Sequence, residues 1–173
     1  MDSLAKNSWL WLVAVVAVAI DRLTKLWAVS LLEPGASLAL WPGVFHLTLV
    51  ENSGAAFSLF VGGSEWLKWV SFGVSLGLIA YGLLGPRLGI LEQLGYGFIL
   101  AGAIGNGLDR FMDGKVTDFL DLRLIQFPVF NGADIAINLG LACLIIGTLW
   151  GESRVRPNPT QPGGPSGPPD HAP

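Results

Sequence analysis

Charge is scarce in this chain. Of its 173 residues, 13% are charged and 51% are hydrophobic, and the mean hydropathy is +0.56. Soluble domains carry about 25% charged residues, so this composition indicates a membrane protein. The formal net charge is -3 and no basic patch or stripe occurs, which gives no reason to expect a nucleic-acid partner.

Cysteine and histidine are also rare. The single cysteine, Cys143, cannot form an internal disulfide, and its apolar surroundings favour a small buried hydrophobe. His46 has no partner at metal-ligand spacing, so we expect a surface role for it. The patterns HExxH, CxxC, GxSxG and the P-loop are all missing, which leaves zinc, serine and phosphate chemistries without support. We therefore predict no metal and no cofactor.

Long apolar stretches are what the chain does contain. A helix needs about 20 residues to cross a bilayer, and four stretches approach that length. They are residues 8–29, 66–84, 88–108 and 133–150. Tryptophans flank several of their ends, as in an aromatic belt. The first stretch has no small-residue cleavage site after it, so we interpret it as a retained span. The predicted fold class is an all-α polytopic membrane protein with four transmembrane helices.

The loop between the first two spans predicts a small extracytoplasmic β-sheet. Residues 45–50 partly alternate in polarity, which is typical of a strand, and residues 54–60 could return as a strand or dip toward the membrane. Residues 30–65 contain no lysine or arginine. Because inside loops tend to be basic, this loop is predicted to lie outside, with both chain termini in the cytoplasm.

The third span ends in a polar group. Gly97, Ala101 and Gly105 recur every four residues and predict a close helix contact. Packing does not explain the polar residues that follow at i, i+3 and i+4 on similar sides of the last turn. These residues are Asn106, Asp109 and Arg110.

Two aspartates in the next segment are separated by its alternation. If residues 116–124 are extended, Asp118 lies on the apolar face, whereas Phe119, Asp121 and Arg123 lie on the polar face. We therefore predict that Asp121 is a solvated or paired surface charge. Intramembrane or membrane-edge carboxylates such as Asp118 suggest function.

The fourth span opens with Asn131 and Asp134. Asn131 fits a helix N-cap, and Asp134 in the first turn suits the positive end of the helix, so a purely structural role is a good alternative here. Asp118 and Asp134 could meet if the chain returns to this point. Two adjacent carboxylates share a proton, and such a pair can activate water as base and polarise a carbonyl as acid.

Four ordered motifs give the chain a family resemblance. They are NSGAAF at 52–57, GNGLDR at 105–110, VTDF at 116–119 and FNGAD at 130–134. In this order and spacing they resemble the motifs of lipoprotein signal peptidases, the signal peptidase II family, over about residues 8–150. Asp21 and Lys25 also match a first-span pattern of that family, although by spacing alone they are an i, i+4 ion pair of a structural kind.

The resemblance implies an aspartic endopeptidase of the bacterial inner membrane. Such an enzyme removes the signal peptide from diacylglyceryl-modified prolipoproteins, cutting before the lipidated cysteine, at the outer face of the membrane. It would act as a monomer, with prolipoproteins and membrane lipid as partners. Asp118 and Asp134 would be the catalytic dyad. The lining or supporting positions would be Asn52, Gly54, Asn106, Asp109, Arg110 and Asn131. Arg110 could pair with Asp109 or hold a substrate carbonyl.

Two other classes of function compete with this interpretation. Membrane-edge carboxylates also serve as proton relays in transporters, and the glycine stripe could belong to a structural protein. The domain prediction is a peptidase domain over residues 1–156, followed by a Pro/Gly-rich disordered tail over residues 157–173, which is too polar to order itself.

Overall fold

The computed structural model describes residues 3–54 and 65–152. Most of these residues are helical. The helices are α1 Ser3–Lys6, α2 Ser8–Leu31, α3 Glu65–Leu84, α4 Ile90–Met112 and α5 Gly132–Glu152. The strands are β1 Ser37–Trp41, β2 Phe45–Asn52 and β3 Val116–Leu122, and a short 3-10 helix covers Arg123–Ile125. The predicted tail and all but the first residue of the 54–60 segment lie outside the described residues.

The long helices match the four predicted apolar stretches within a few residues. Two of them are long and apolar enough to cross a membrane, namely Glu65–Leu84 and the Gly132–Trp150 part of α5. Helix α2 carries Asp21, Arg22 and Lys25 in its second half, and α4 ends in Asp109 and Arg110. Crossing by α2 and α4 therefore remains a prediction.

Helix α4 lies between the other long helices and contacts α2, α3 and α5. Its small residues allow this close approach. A Cβ added to Gly97 would lie 2.7 Å from the Leu10 carbonyl oxygen of α2. A Cβ added to Gly105 would lie 2.5 Å from Asp21 and 3.2 Å from Ala133. The predicted small-residue stripe is thus confirmed as a helix contact, made with both α2 and α5.

The three strands form one antiparallel sheet in the order β1-β2-β3. Strand β1 was not predicted, whereas β2 and β3 were. In the β2–β3 pair, His46 lies opposite Asp121 and Val50 lies opposite Asp118, with an irregularity between Leu47 and Val50. This pairing holds β3 beside β2, so the segment that carries Asp118 is fixed in place.

The predicted faces of β3 are only partly correct. Asp118 is buried as expected, but Phe119 is also buried, with 3% of its surface exposed, although the alternation put it on the polar face. Phe119 belongs to a core cluster with Ala28, Leu47 and Leu49, so both faces of β3 are covered. Alternation assigns only the two faces and cannot tell which of them is exposed to solvent.

Candidate active site

Asp118 and Asp134 line the same cavity, which has a volume of about 550 Å³. Asp118 comes from β3 and is 2% exposed, whereas Asp134 lies in the first turn of α5 and is half-buried. Polar neighbours on the cavity wall are Asn52, Asn106, Arg110 and Asn138. Its apolar wall comprises Val116, Phe127, Pro128, Val129, Phe130, Ile135, Ile137 and Leu139. The fold therefore unites the two aspartates that local patterns singled out.

Asn131 connects the two carboxylates. Its side-chain oxygen accepts the backbone N–H of Asp134 at 3.0 Å, and its own backbone N–H donates to Asp134 Oδ2 at 3.2 Å. This reciprocal pair is a capping box, which confirms the predicted N-cap. The side-chain nitrogen of Asn131 also donates to Asp118 Oδ1 at 2.6 Å. The helix cap and the carboxylate contact are thus made by one residue.

Two further amides hold the remaining carboxylate oxygens. Asn106 donates from Nδ2 to Asp134 Oδ1 at 2.9 Å, and Asn52 donates from Nδ2 to Asp118 Oδ2 at 2.9 Å. Each of the four carboxylate oxygens therefore accepts at least one N–H. Such donors stabilise negative charge, so the site is built to hold at least one ionised carboxylate.

Burial acts in the opposite direction on Asp118. It raises the pKa of the Asp118 carboxyl from its usual value near 3.8 to about 6, because desolvation and the nearby charge of Asp134 outweigh the hydrogen bonds from Asn52 and Asn131. A carboxyl with this pKa can carry a proton close to neutral pH.

A cluster of buried charged side chains contacts the site through Asn106. Lys25 lies 3.0 Å from Asp21 Oδ2 and 2.8 Å from Asp109 Oδ2, and its Nζ donates to Asn106 Oδ1 at 3.1 Å. Arg22 pairs with Asp109 Oδ1 at 2.6 Å. The side chains of Asp21, Lys25 and Asp109 are each no more than 3% exposed. Charges this deeply buried are stable only when paired.

The cluster also fixes backbone positions. Asp21 Oδ1 accepts the N–H of Ala133 at 2.8 Å, at the start of α5, and Asp109 Oδ2 accepts the N–H of Thr117 at 3.3 Å, at the start of β3. These contacts fasten the two elements that carry the aspartates to α2 and α4. The predicted Asp21–Lys25 pair is confirmed, and its links to α4, α5 and β3 were not foreseen.

Arg110 does not pair with Asp109 by hydrogen bond or ion pair in the part of the chain that the structure describes. It donates to the Asn106 carbonyl at 3.2 Å and to the Gly54 carbonyl at 3.4 Å. Gly54 itself donates its N–H to Asn52 Oδ1 at 2.9 Å, which forms a tight turn beside the cavity. The guanidinium of Arg110 therefore lies on the cavity wall and not against Asp109. This position is compatible with the second alternative, a contact with a substrate carbonyl.

The comparison with family models decides the class. Residues 13–150 match the model described as signal peptidase (SPase) II. The chain belongs to the signal peptidase II family.

Named relatives agree with this assignment. A lipoprotein signal peptidase of Gloeobacter violaceus is 70% identical over 158 residues, which cover 91% of each chain. A lipoprotein signal peptidase of a Cyanothece strain is 56% identical over 149 residues, covering 84% of this chain and 86% of the relative. The motifs on which the resemblance rested lie inside the matched region.

Two solved structures of bacterial membrane enzymes share the fold of this chain. A bacterial membrane enzyme determined at 2.3 Å is 27% identical and superimposes with a TM-score of 0.77, covering 87% of this chain and 93% of its own. A second bacterial membrane enzyme, at 1.9 Å, is 28% identical with a TM-score of 0.71, covering 80% and 90%. This member of the signal peptidase II family is therefore a membrane-associated protease.

Asp121 and His46 lie opposite each other in the β2–β3 pair. Asp121 is paired as predicted, since Thr48 donates to it at 2.6 Å and Arg123 at 2.9 Å. It is 8% exposed, so it is less of a surface charge than expected. The surface role for His46 is wrong, because this side chain is 8% exposed and contacts Ser37 Oγ at 3.2 Å and the N–H of Gly43 at 3.3 Å.

Among residues 3–54 and 65–152, no group of three or more His, Cys, Asp or Glu side chains could hold a metal. Sequence reasoning overlooked Asn138 on the cavity wall, although an amide inside an apolar helix is a visible signal.

Proposed function

We propose that this signal peptidase II removes the signal peptide from diacylglyceryl-modified prolipoproteins, cutting before the lipidated cysteine. Asp118 and Asp134 activate the water that attacks the scissile bond. Family membership supports the removal of signal peptides. The observation that carries the catalytic assignment is that both carboxylates line one cavity and are both hydrogen-bonded to Asn131.

The proposed reaction begins with Asp118 protonated and Asp134 ionised. The raised pKa of Asp118, about 6, supports its role as the acid. Asp134 sits at the N-terminus of α5, where the helix dipole favours negative charge. Asp134 takes a proton from water as the water oxygen bonds to the scissile carbonyl carbon. Asp118 gives its proton to the carbonyl oxygen in the same step.

Collapse of the tetrahedral intermediate completes the cleavage. The C–N bond breaks, the leaving nitrogen takes the proton that Asp134 acquired, and the hydroxyl proton returns to Asp118. The products are a free carboxylic acid, which then ionises in water, and a free amine, and both aspartates regain their starting states. Arg110 on the cavity wall would donate a hydrogen bond to the scissile carbonyl oxygen and hold it for attack. This role is supported by the ion pairs of Asp109, which are made with Arg22 and Lys25 and not with Arg110.

The proposed topology rests on the position of the dyad and on the absence of lysine and arginine from residues 30–65. Asp134 lies at the end of a helix apolar enough to cross the membrane, so the reacting groups would lie at the membrane edge. We propose that α2 and α4 also cross, that both termini are cytoplasmic and that the site faces outward. The apolar wall formed by Phe127, Val129 and Leu139 would accommodate the acyl chains of the substrate.

A gel-shift cleavage assay tests the proposal. Purified protein in detergent is given a diacylglyceryl-modified prolipoprotein, beside the variants Asp118→Asn, Asp134→Asn and Asp121→Asn. Loss of an acid or base lowers turnover by about 10²–10⁴-fold, so both dyad variants should be inactive in this assay. Asp121→Asn is the matched control and should cleave like wild type, because Asp121 bonds Thr48 and Arg123 and does not line the cavity.

The other outcomes are equally informative. Full activity in either dyad variant would exclude the shared-proton mechanism. Absence of cleavage by folded wild-type protein would contradict the peptidase proposal and bring the transporter and scaffold alternatives forward.

A further inference from the structure

Asn138 is an unusual residue for its place in α5. Between Asp134 and Trp150, every side chain is apolar or glycine except Asn138, Cys143 and Thr148. Asn138 is exposed, and its neighbours Ile135 and Leu139 are 41% and 48% exposed. It therefore lies on a side of α5 that faces away from the protein core, within a helix that can cross the membrane.

The hydrogen bonds of Asn138 are incomplete. Its Nδ2 donates to the Asp134 carbonyl oxygen at 2.9 Å, and its side chain makes no other hydrogen bond to the described part of the chain. A side-chain amide has two N–H donors and an oxygen with two lone pairs, so one N–H and Oδ1 are left over. Thr148 differs, because its hydroxyl donates to the Leu144 carbonyl at 2.9 Å and has no N–H to satisfy.

Lipid cannot satisfy these leftover groups. Hydrocarbon offers no hydrogen bonds, so a polar side chain inside a span is costly and is a sign of function. Asn138 also lines the cavity that contains Asp118 and Asp134. A molecule that fills this cavity is the natural partner for the free amide groups.

We propose that Asn138 binds the backbone of the signal peptide, with Oδ1 accepting a peptide N–H and Nδ2 donating to a peptide carbonyl. This inference rests on the proposed function and names how its substrate is held. A signal-peptide helix must open at the cut, and the released backbone groups then need partners inside the membrane. A side-chain amide offers both complementary groups at once.

A lipid ester is a poorer partner for this side chain. The ester carbonyl of a diacylglyceryl group can accept a hydrogen bond from Nδ2, but it has no donor for Oδ1. A peptide group has both, so the peptide backbone satisfies the whole amide of Asn138.

The geometry also indicates where on the peptide the contact falls. Asn138 is four residues after Asp134, which is about 6 Å along a helix axis at 1.5 Å per residue. An extended peptide covers about 6–7 Å in two residues. Since α5 runs from the dyad into the apolar part of the span, the contact lies about two residues from the cut, on the signal-peptide side.

Steady-state kinetics of the full chain in detergent micelles test this inference. Asn138→Leu is expected to raise KM for a diacylglyceryl-modified prolipoprotein about tenfold, the effect of losing one or two neutral hydrogen bonds, with kcat changed less than about threefold. The control is Thr148→Val, which removes a polar group from the same helix outside the cavity and should leave KM unchanged. Both positions are exposed, so equal thermal midpoints are expected.

Substrates with one N-methylated peptide bond identify the contact. In wild type, methylation about two residues before the cut should lower kcat/KM about fivefold, and Asn138→Leu should abolish that penalty. An unchanged KM in Asn138→Leu, or equal methylation penalties in both proteins, would overturn the inference while wild-type cleavage upholds the proposed function. Absence of cleavage by wild type would overturn both.

Discussion

The ammonium of Lys25 lies 3.1 Å from Oδ1 of Asn106 and thereby orients that side-chain amide. An ammonium can only donate, so the amide oxygen must face it and the amide nitrogen must face the other way. That nitrogen donates to Asp134 at 2.9 Å. Lys25 therefore acts on a carboxylate of the site through Asn106, although the two charges do not touch.

Replacement of Lys25 by methionine should impair both folding and turnover. It leaves Asp21 buried without its cation, and breaking a buried ion pair in this way costs about 3–5 kcal/mol. In the protein that still folds, Asn106 Oδ1 keeps only the hydrogen bond from Asn131 Nδ2 at 3.1 Å. Asn106 is then held less firmly against Asp134, so kcat should fall more than KM rises. Thermal unfolding in detergent and cleavage kinetics measure the two effects separately.

Lys68→Met is the matched control for this change. Lys68 pairs with Glu65, whose side chain is 81% exposed, and such surface pairs contribute at most about 1 kcal/mol. A Lys25 variant that unfolds and cleaves like the Lys68 variant would show that the buried cluster does not position Asp134.

The raised pKa of Asp118 predicts an alkaline limit to activity. If protonated Asp118 is the acid, kcat/KM should fall above about pH 6, by up to tenfold per pH unit, as this carboxyl ionises. The apparent pKa belongs to the pair, since the titration of Asp118 is coupled to the charge of Asp134. A pH series of initial rates measures it, and Asp121→Asn should reproduce the wild-type profile. Activity that rises from pH 6 to 8 would contradict the assignment of Asp118 as acid.

Replacement of Asn52 by leucine should shift the alkaline limit of activity to higher pH. Asn52 donates to Asp118 at 2.9 Å, and this bond favours the ionised carboxylate. Its loss raises the pKa of Asp118, so the alkaline fall in kcat/KM should begin at a higher pH than in wild type. The comparison of the two pH profiles is independent of any change in the absolute rate. A shift toward lower pH would show that the variant hydrates Asp118.

Local signals predicted much of this architecture and both aspartates. The four long helices could be predicted from the positions and lengths of the apolar stretches, because a helix forms within one continuous segment of the chain. The Asn131–Asp134 cap was predictable for the same reason, because its contacts span three residues. Asp118 could be identified by the alternation of a single strand.

Long-range partners were not predictable in this way. Asp109 lies next to Arg110 in sequence, yet its cations are Arg22 and Lys25 on α2. That choice depends on how α2 and α4 pack, which no local pattern encodes. The burial of His46 similarly depends on pairing between strands, and Phe119 is buried because the end of α2 covers its side of β3.

The close packing of α4 gives a last prediction, at Gly105. Alanine there would place a methyl group 2.5 Å from Asp21 Oδ2, which Lys25 holds in place, and 3.2 Å from Ala133. Overpacking of this kind costs about 1–3 kcal/mol, and displacement of Asp21 would also loosen the start of α5. Gly77→Ala on α3 is the control, because its added Cβ meets nothing within 4 Å, and it should leave stability equal or raise it by up to about 1 kcal/mol. Thermal unfolding of the two variants measures the difference in stability. Equal unfolding midpoints would show that the α2–α4 contact can accommodate the added methyl group without loss of stability.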